Sequence, residues 1–168
     1  QRVRREDKLQ VDNKVLMPAK TKAPTRILLY YKPEGEVCSR YDEHNRPTVF
    51  QNQRILQDKK WLLVGRLDIN SMGLLLFTNN GELANQLMHP SSGLDREYAV
   101  RVFGEADPGT LKKLQEGVYL EDGWAHFAAI KDAGGQGRNH WYYVTLYEGR
   151  NREVRRLWES QGFQVSRL

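Results

Sequence analysis

Two apolar runs, WLLVG at 61–65 and GLLLFT at 73–78, most constrain what this chain can fold into. Each is continuous and of strand length, so both read as buried strands. Both are far short of the roughly 20 residues a helix needs to cross a bilayer. The segment RLDINSM joins them and puts Asp68 where a strand is about to be buried. Asp is a poor strand former, so its place needs a reason. On pattern alone the favoured reading is an Asx-turn, with Asn70, Ser71 and Gly73 completing the loop. The competing reading is a carboxylate held at the lip of a sheet in reach of substrate, as nucleophile or base. It would need a cationic partner to stay ionised in a partly dry site.

The rest of the chain alternates strands with a few helices. RILLYYK (26–32), EYAVRVFG (97–104), HFAAIK (126–131) and HWYYVTLYE (140–148) are strand candidates, with Tyr98, Val100 and Val102 on one face. Asn80 caps a helix carrying Leu83, Leu87 and Met88 and ended by Pro90. Asp107-Pro108 opens a second, through Gln115 and stopped by Gly117. Asn151 caps a third, with Val154, Leu157, Trp158 and Gln161 on one side and Gly162 at its end. DAGGQGRN (132–139) reads as a mobile hairpin loop. Strands outnumber helices without regular βαβ alternation, so the class is α+β with a mixed or antiparallel sheet. Upstream, RVRREDKLQVDNKVL reads as two short strands around an Asp/Asn turn, too small for a core of its own. MPAKTKAPT reads as a linker, giving a small domain remnant at 1–17, a linker at 18–25 and a body at 26–168.

Charge separates the arm from the body. The formal net charge is +5. Residues 1–26 hold eight cations (Arg2, Arg4, Arg5, Lys8, Lys14, Lys20, Lys22, Arg26) against Glu6, Asp7 and Asp12, which accounts for all of it. A basic arm on a neutral body suits a polyanionic partner, nucleic acid first, and a solubilising tail about equally. One cysteine, Cys38, excludes an internal disulfide and a Cys-rich zinc site, and no signal-peptide pattern is present, which reads as cytoplasmic. The four histidines lack metal-ligand spacing, and no phosphate-binding or dinucleotide glycine motif occurs. Neither a metal nor a cofactor is therefore expected.

A second concentration of chemistry is EGRNREVRRLWES (148–160), with arginines at 150, 152, 155 and 156. Val154 and Leu157 fix its buried side, so the arginines fan out around it. It reads either as a solvated basic helix or as phosphate contacts plus one arginine paired to a catalytic carboxylate. Among Tyr30, Tyr31, Tyr98, Trp141, Tyr142 and Tyr143, one or two would stack on unpaired bases and the others belong to the core.

GRLDINSMGLLLFTNNGEL, REYAV and EGRNREVRRL, in this order, resemble the RNA pseudouridine synthases, in the branch that modifies ribosomal RNA at single sites. YYKPEGEVCSRYDEHNRPTVF (30–50) resembles that branch's leading motif, with Tyr-Lys-Pro where Asn-Lys-Pro is usual. With LEDG at 120–123, the wording is closest to large-subunit enzymes, over about residues 26 to 168. The resemblance implies a pseudouridine synthase fold with a mixed, mostly antiparallel sheet and a central active-site cleft. It also implies that the N-terminal strands end a small RNA-binding domain and that another strand usually follows SRL.

By the same resemblance Asp68 is the nucleophile, Tyr98 the active-site tyrosine and Arg155 the guanidinium paired to Asp68. Leu168 would back the pocket. Arg66, Lys32, Arg40 and Arg46 would contact the RNA, and Arg150 and Arg156 would bind substrate by facing its phosphates or be structural. The implied reaction converts uridine to pseudouridine in large-subunit ribosomal RNA, without cofactor, by an enzyme that flips the target base. A monomer is expected separately, since nothing in the sequence suggests a large apolar interface. The alternatives are an RNA-binding module or assembly factor on the same fold, or a synthase for small-subunit or transfer RNA.

Overall fold

The computed structural model of the protein describes residues 9–12, 14–16, 24–51, 56 and 60–168. Strands β1 (Leu9–Val11) and β2 (Lys14–Leu16) pair antiparallel across a turn in which Asp12 has a positive φ. Of the basic arm only Lys14 and Arg26 lie within the described residues, and residues 18–23 of the expected linker lie outside them. At the linker's end, Asn79 Nδ2 donates to the Pro24 carbonyl (3.0 Å) and Asn80 Nδ2 to Thr25 Oγ1 (2.9 Å).

Strands β3 (Ile27–Lys32), β4 (Leu62–Val64) and β5 (Gly73–Thr78) form an antiparallel sheet in the order β3-β5-β4. The central strand buries Leu75 and Phe77 against Val49, Phe50, Leu56 and Trp61. The period of two then divides β3, which turns Leu28 and Tyr30 inward and leaves Ile27, Leu29 and Tyr31 exposed. Helix α1 (Gly81–Met88) follows β5, its first turn capped by Asn80 Oδ1, which accepts from Glu82 N and Leu83 N.

A single 3-10 turn, Pro90–Ser92, leads into β6 (Arg96–Phe103) and then α2 (Pro108–Glu116). Asp107 Oδ1 caps α2 by accepting from Gly109 N and Thr110 N. A hairpin of β7 (Val118–Leu120) and β8 (Gly123–Ala125), which the sequence did not announce, precedes β9 (Ala129–Gln136) and β10 (Asn139–Leu146). Helix α3 (Glu153–Glu159) and the short β11 (Val165–Arg167) complete the chain. The larger sheet runs β11-β6-β10-β9, antiparallel throughout. Its inner face (Val100, Val102, Tyr142, Val144, Leu146) packs on Leu114 of α2 and on Val154, Leu157 and Trp158 of α3. Trp158 carries the aromatic centre, 4.8 Å from Tyr142 and 5.8 Å from Phe163, centroid to centroid.

Two local expectations change. The glycine-rich stretch is not a loop, since β9 runs through it to Gln136. The register shifts between His140 and Tyr142, where a Cβ on Gly135 would lie 2.3 Å from the Asn139 carbonyl oxygen. Glycine is what lets the two backbones approach there. Helix α3 is capped not by Asn151 but by Arg152, which has a φ of 50° and gives no side-chain cap bond. Instead the Glu153 carboxylate reaches back to accept the Arg150 N–H (3.0 Å), fixing the turn before the helix.

Candidate active site

Asp68 sits on the loop between β4 and β5, and the backbone of that loop is unusually well held. Gly65 turns the chain out of β4 with a φ of 79°, which glycine adopts without steric cost. The Asp68 carbonyl accepts Ser71 N (3.0 Å), so the turn is closed by the backbone and not by the Asp68 side chain of the expected Asx-turn. The following carbonyls are then taken up by two buried cations. Lys32 Nζ donates to the carbonyls of Ser71 (2.7 Å), Pro33 (3.0 Å) and Ile69 (3.4 Å). Arg155 donates through Nη2 to Asn70 (2.8 Å) and through Nη1 to Val165 (3.2 Å), joining the loop to β11. From the leading motif, Gly35 N donates to the Ile69 carbonyl (2.7 Å) and Cys38 Sγ accepts Leu67 N (3.4 Å). At the far end Met72 N donates to the Leu168 carbonyl (2.9 Å), linking the loop to the end of the larger sheet.

This loop forms one wall of a cleft of about 670 Å³, in the range of pockets that take a nucleotide-sized ligand. Asp68, Arg66 and Ser71 line it from the loop, Leu87 and Met88 from the end of α1, Arg96 and Tyr98 from β6, and Glu148 to Val154 from the turn into α3. Leu168 closes it. Burial pushes the Tyr98 phenol above its ordinary pKa, the Glu153 and Asp68 carboxylates push the same way, and Arg96 opposes them. Tyr98 therefore presents a neutral O–H at physiological pH.

The residues expected from the sequence divide into three groups. Asp68, Tyr98, Arg66, Arg150 and Leu168 meet at the cleft. Lys32 and Arg155 stand behind it, at 0% and 4% exposure. A fully buried Lys32 does not reach an RNA phosphate, so its expected role in RNA contact gives way to holding the loop. Burial lowers its pKa, while the charges of Cys38, Glu36 and Asp68 counteract this. Arg155 forms no ion pair with Asp68, because its two terminal nitrogens are spent on backbone carbonyls. Burial and the charge of Arg152 lower the Arg155 pKa and the Asp68 charge raises it, so the two residues interact through space without contact.

The third group lies outside the cleft lining. Arg156 grips Asp122 through both terminal nitrogens (2.7 and 2.6 Å) and so ties α3 to the β7–β8 turn. Arg40 donates to the Trp61 carbonyl and lies over the Phe50 ring, 4.2 Å from its centroid. Arg46 pairs with Asp42. Arg150 lines the cleft but is also engaged, with Glu148 (2.7 Å), Glu153 (3.2 Å), Asp122 (3.3 Å) and the Trp124 carbonyl (2.6 Å). Arg66 alone of the expected cations is exposed at the cleft without a hydrogen-bond partner among the described residues.

Sequence reasoning missed Arg96. Its guanidinium donates to the carbonyls of Leu94 (3.1 Å), Tyr147 (2.9 Å) and Leu87 (3.4 Å), holding the end of α1 against the end of β10. Its only sequence signal was its place in REYAV. Glu153, in the stretch that could be a solvated basic helix, carried no sequence signal of burial. It is instead 3% exposed, and burial together with neighbouring Glu148 pushes its carboxyl up. Glu105, Asp132 and His140 bring three metal-type ligand atoms within 4.8 Å of one another, but on the exposed β9–β10 side, and none of them lines the cleft.

The model of the RNA pseudouridylate synthase family matches residues 26–160. Among similar proteins, ribosomal large subunit pseudouridine synthase B of Pasteurella multocida is 64% identical over 143 residues, 85% of this chain and 41% of its own length. The enzyme of that name from Haemophilus influenzae is 59% identical over 96% of this chain and 45% of its own. That from Escherichia coli K12 is 63% identical over 85% and 49%. The chain thus spans less than half the length of each of these relatives. A crystal structure of a pseudouridylate synthase superposes with a TM-score of 0.71 over 98% of this chain and 68% of its own, at 22% identity, which shows the shared fold. Human RNA pseudouridylate synthase domain containing 4 gives 0.57 over 83% and 63%, at 11% identity. The fold, the cleft with Asp68 on its wall and the match over residues 26–160 agree: the chain belongs to the RNA pseudouridylate synthase family.

Proposed function

We propose that this protein converts a uridine of large-subunit ribosomal RNA to pseudouridine, with Asp68 as nucleophile. The observation that carries the reading is the placement of Asp68 on a cleft wall shared with Tyr98, on a loop whose next three carbonyls are all bonded to Lys32 or Arg155. A nucleophile held on such a backbone needs little reorganisation on reaching the transition state.

In this reaction the bond between N1 of the base and C1′ of the sugar breaks, the detached ring turns, and a bond from C5 to C1′ forms. C5 loses a proton and N1 gains one, so atoms and electrons balance without an oxidant or reductant. Asp68 attacks the nucleotide as a carboxylate. Arg155 lies behind the loop, bonded to backbone carbonyls, and so does not cap the oxygens that must react. Tyr98 stacks on the base, and its neutral O–H takes part in the proton transfers. Flipping the target out of its stack costs about a few kcal/mol, which favours an unpaired or loosely stacked site. Contacts from Arg66 and Arg152 to the flanking phosphates offset that cost. The protein acts on ribosomal RNA in the cytoplasm, as a monomer.

Tritium release from ribosomal RNA carrying 5-tritiated uridine tests this directly, because a C5 product expels that hydrogen. The parent protein releases tritium and Asp68→Asn does not. No release by the parent would remove the enzymatic reading. Equal release by the variant would remove Asp68 from its role.

A further inference from the structure

We propose that the loop 38–46 is a braced prong whose exposed ring, Tyr41, stacks on an RNA base neighbouring the flipped uridine. The inference rests on the RNA-modifying reading above and adds a contact outside the cleft. Tyr41 is 73% exposed, so its ring does nothing for the core. Its backbone is nevertheless fixed on both sides by one hydroxyl. Ser39 Oγ donates to the Tyr41 carbonyl and accepts the Tyr41 N–H (3.3 Å).

The next residue organises the rest of the loop. Asp42 accepts the backbone N–H groups of His44 (3.1 Å) and Arg46 (2.9 Å), and its carboxylate takes the Arg46 guanidinium through Nη2 at 2.6 Å and Nε at 3.1 Å. Asn45 has a φ of 54°, and a Val37–Thr48 bridge closes the base. Arg40 is drawn back onto Phe50 and Trp61. The loop's two arginines, expected to contact RNA, thus shape the prong and leave an aromatic ring at its surface.

Its position fits an RNA partner. Cys38 lines the cleft and accepts a hydrogen bond from Leu67, the residue before Asp68. Tyr41 follows Cys38 by three residues, a reach of at most about 10 Å of chain. Tyr41 is not part of the cleft lining, but a base next to the flipped nucleotide loses a stacking neighbour when the target leaves, and an exposed ring within that reach of Cys38 replaces it.

Two measurements test this. Tritium-release rates are taken over a range of large-subunit ribosomal RNA transcript concentrations. Equilibrium binding of the same transcript is measured on an Asp68→Asn background, where no chemistry interferes. Tyr41→Ala is expected to raise KM and Kd about tenfold while leaving kcat within about twofold, and Tyr41→Phe to restore both. The dependence of Kd on salt keeps its slope, since no phosphate contact is removed. Unchanged KM and Kd in a turning-over Tyr41→Ala overturns the prong while leaving the enzymatic reading intact. A shallower salt slope overturns stacking in favour of a phosphate contact. If the parent protein binds the transcript but releases no tritium, the enzymatic reading fails, and a weaker Kd in Tyr41→Ala still supports the prong. If the parent protein does not bind, both fall.

Discussion

Arg155 donates to the carbonyl oxygen of Asn70 at 2.8 Å, two residues past Asp68, and not to the Asp68 carboxylate. Its other terminal nitrogen reaches Val165 on β11. One planar side chain therefore fixes the Asp68 loop against the larger sheet. A lysine ammonium reaches several carbonyls only where they converge on one point, as those around Lys32 do, and it lacks the two separate terminal nitrogens that Arg155 directs at Asn70 and Val165. Arg155→Lys is expected to lower kcat about 10- to 100-fold and to destabilise the fold by about 1.5–3 kcal/mol, the range for one lost hydrogen bond to a charged group. Denaturant unfolding alongside single-turnover rates checks both. Full turnover at unchanged stability would show that the loop does not depend on this clamp.

Lys32 serves the same loop from the other motif. Lys32→Met keeps the length of the buried stem but leaves the carbonyls of Ile69, Ser71 and Pro33 without this donor. Unsatisfied buried acceptors cost about 1–3 kcal/mol each, and partial relaxation sets the expected loss at about 3 kcal/mol. Turnover falls with it, and affinity for RNA stays within about twofold, because the side chain is fully buried. A large rise in Kd with stability intact would return Lys32 to RNA contact.

Tyr98→Phe separates stacking from proton transfer. The ring and its burial remain and only the O–H is removed, so KM stays near the parent value while kcat drops by about 10²-fold or more. The raised pKa of Tyr98 keeps the phenol neutral up to and beyond the ordinary value of about 10. In the parent protein, ionisation of this group therefore produces no loss of rate below about pH 10. A pH–rate profile to that limit provides the check.

Asp122 predicts an acid limb in stability. The Arg156 guanidinium holds its carboxyl below the usual carboxylate range, with Arg150 adding to the effect. A carboxylate with a depressed folded pKa contributes stability above its unfolded pKa of about 3.9 and loses it as pH falls through the lower folded value. Asp122→Asn is expected to flatten the stability-versus-pH curve below about pH 4 and to leave its shape at pH 6–8 unchanged. Parallel urea titrations across pH 2–8 show whether the limb belongs to Asp122.

Much of the fold was written locally. The apolar runs that became β4 and β5, the alternation of β6 and the caps Asn80 and Asp107 follow from period and turn chemistry within a few residues of each other. Motif order also singled out Asp68, Tyr98 and Arg155. The short strands β7, β8 and β11 carried no such signal, because three residues are too few for a period and their stability comes from partners distant in sequence.

The sequence by itself determined which residues could act: one carboxylate between two strands, one tyrosine on an alternating strand, and arginines around a buried helix face. Only the tertiary structure decided what each cation does. Lys32, Arg40, Arg46, Arg155 and Arg156 have the same charge and much the same local pattern, yet two are buried against carbonyls, one lies on an aromatic ring, and two are neutralised by Asp42 and Asp122. A basic side chain is long and its partners come from other elements, so spacing along the chain does not fix where the charge ends. That placement leaves Asp68 in the cleft with no guanidinium paired to its carboxylate among the described residues, while the backbone beneath it is held by Lys32 and Arg155.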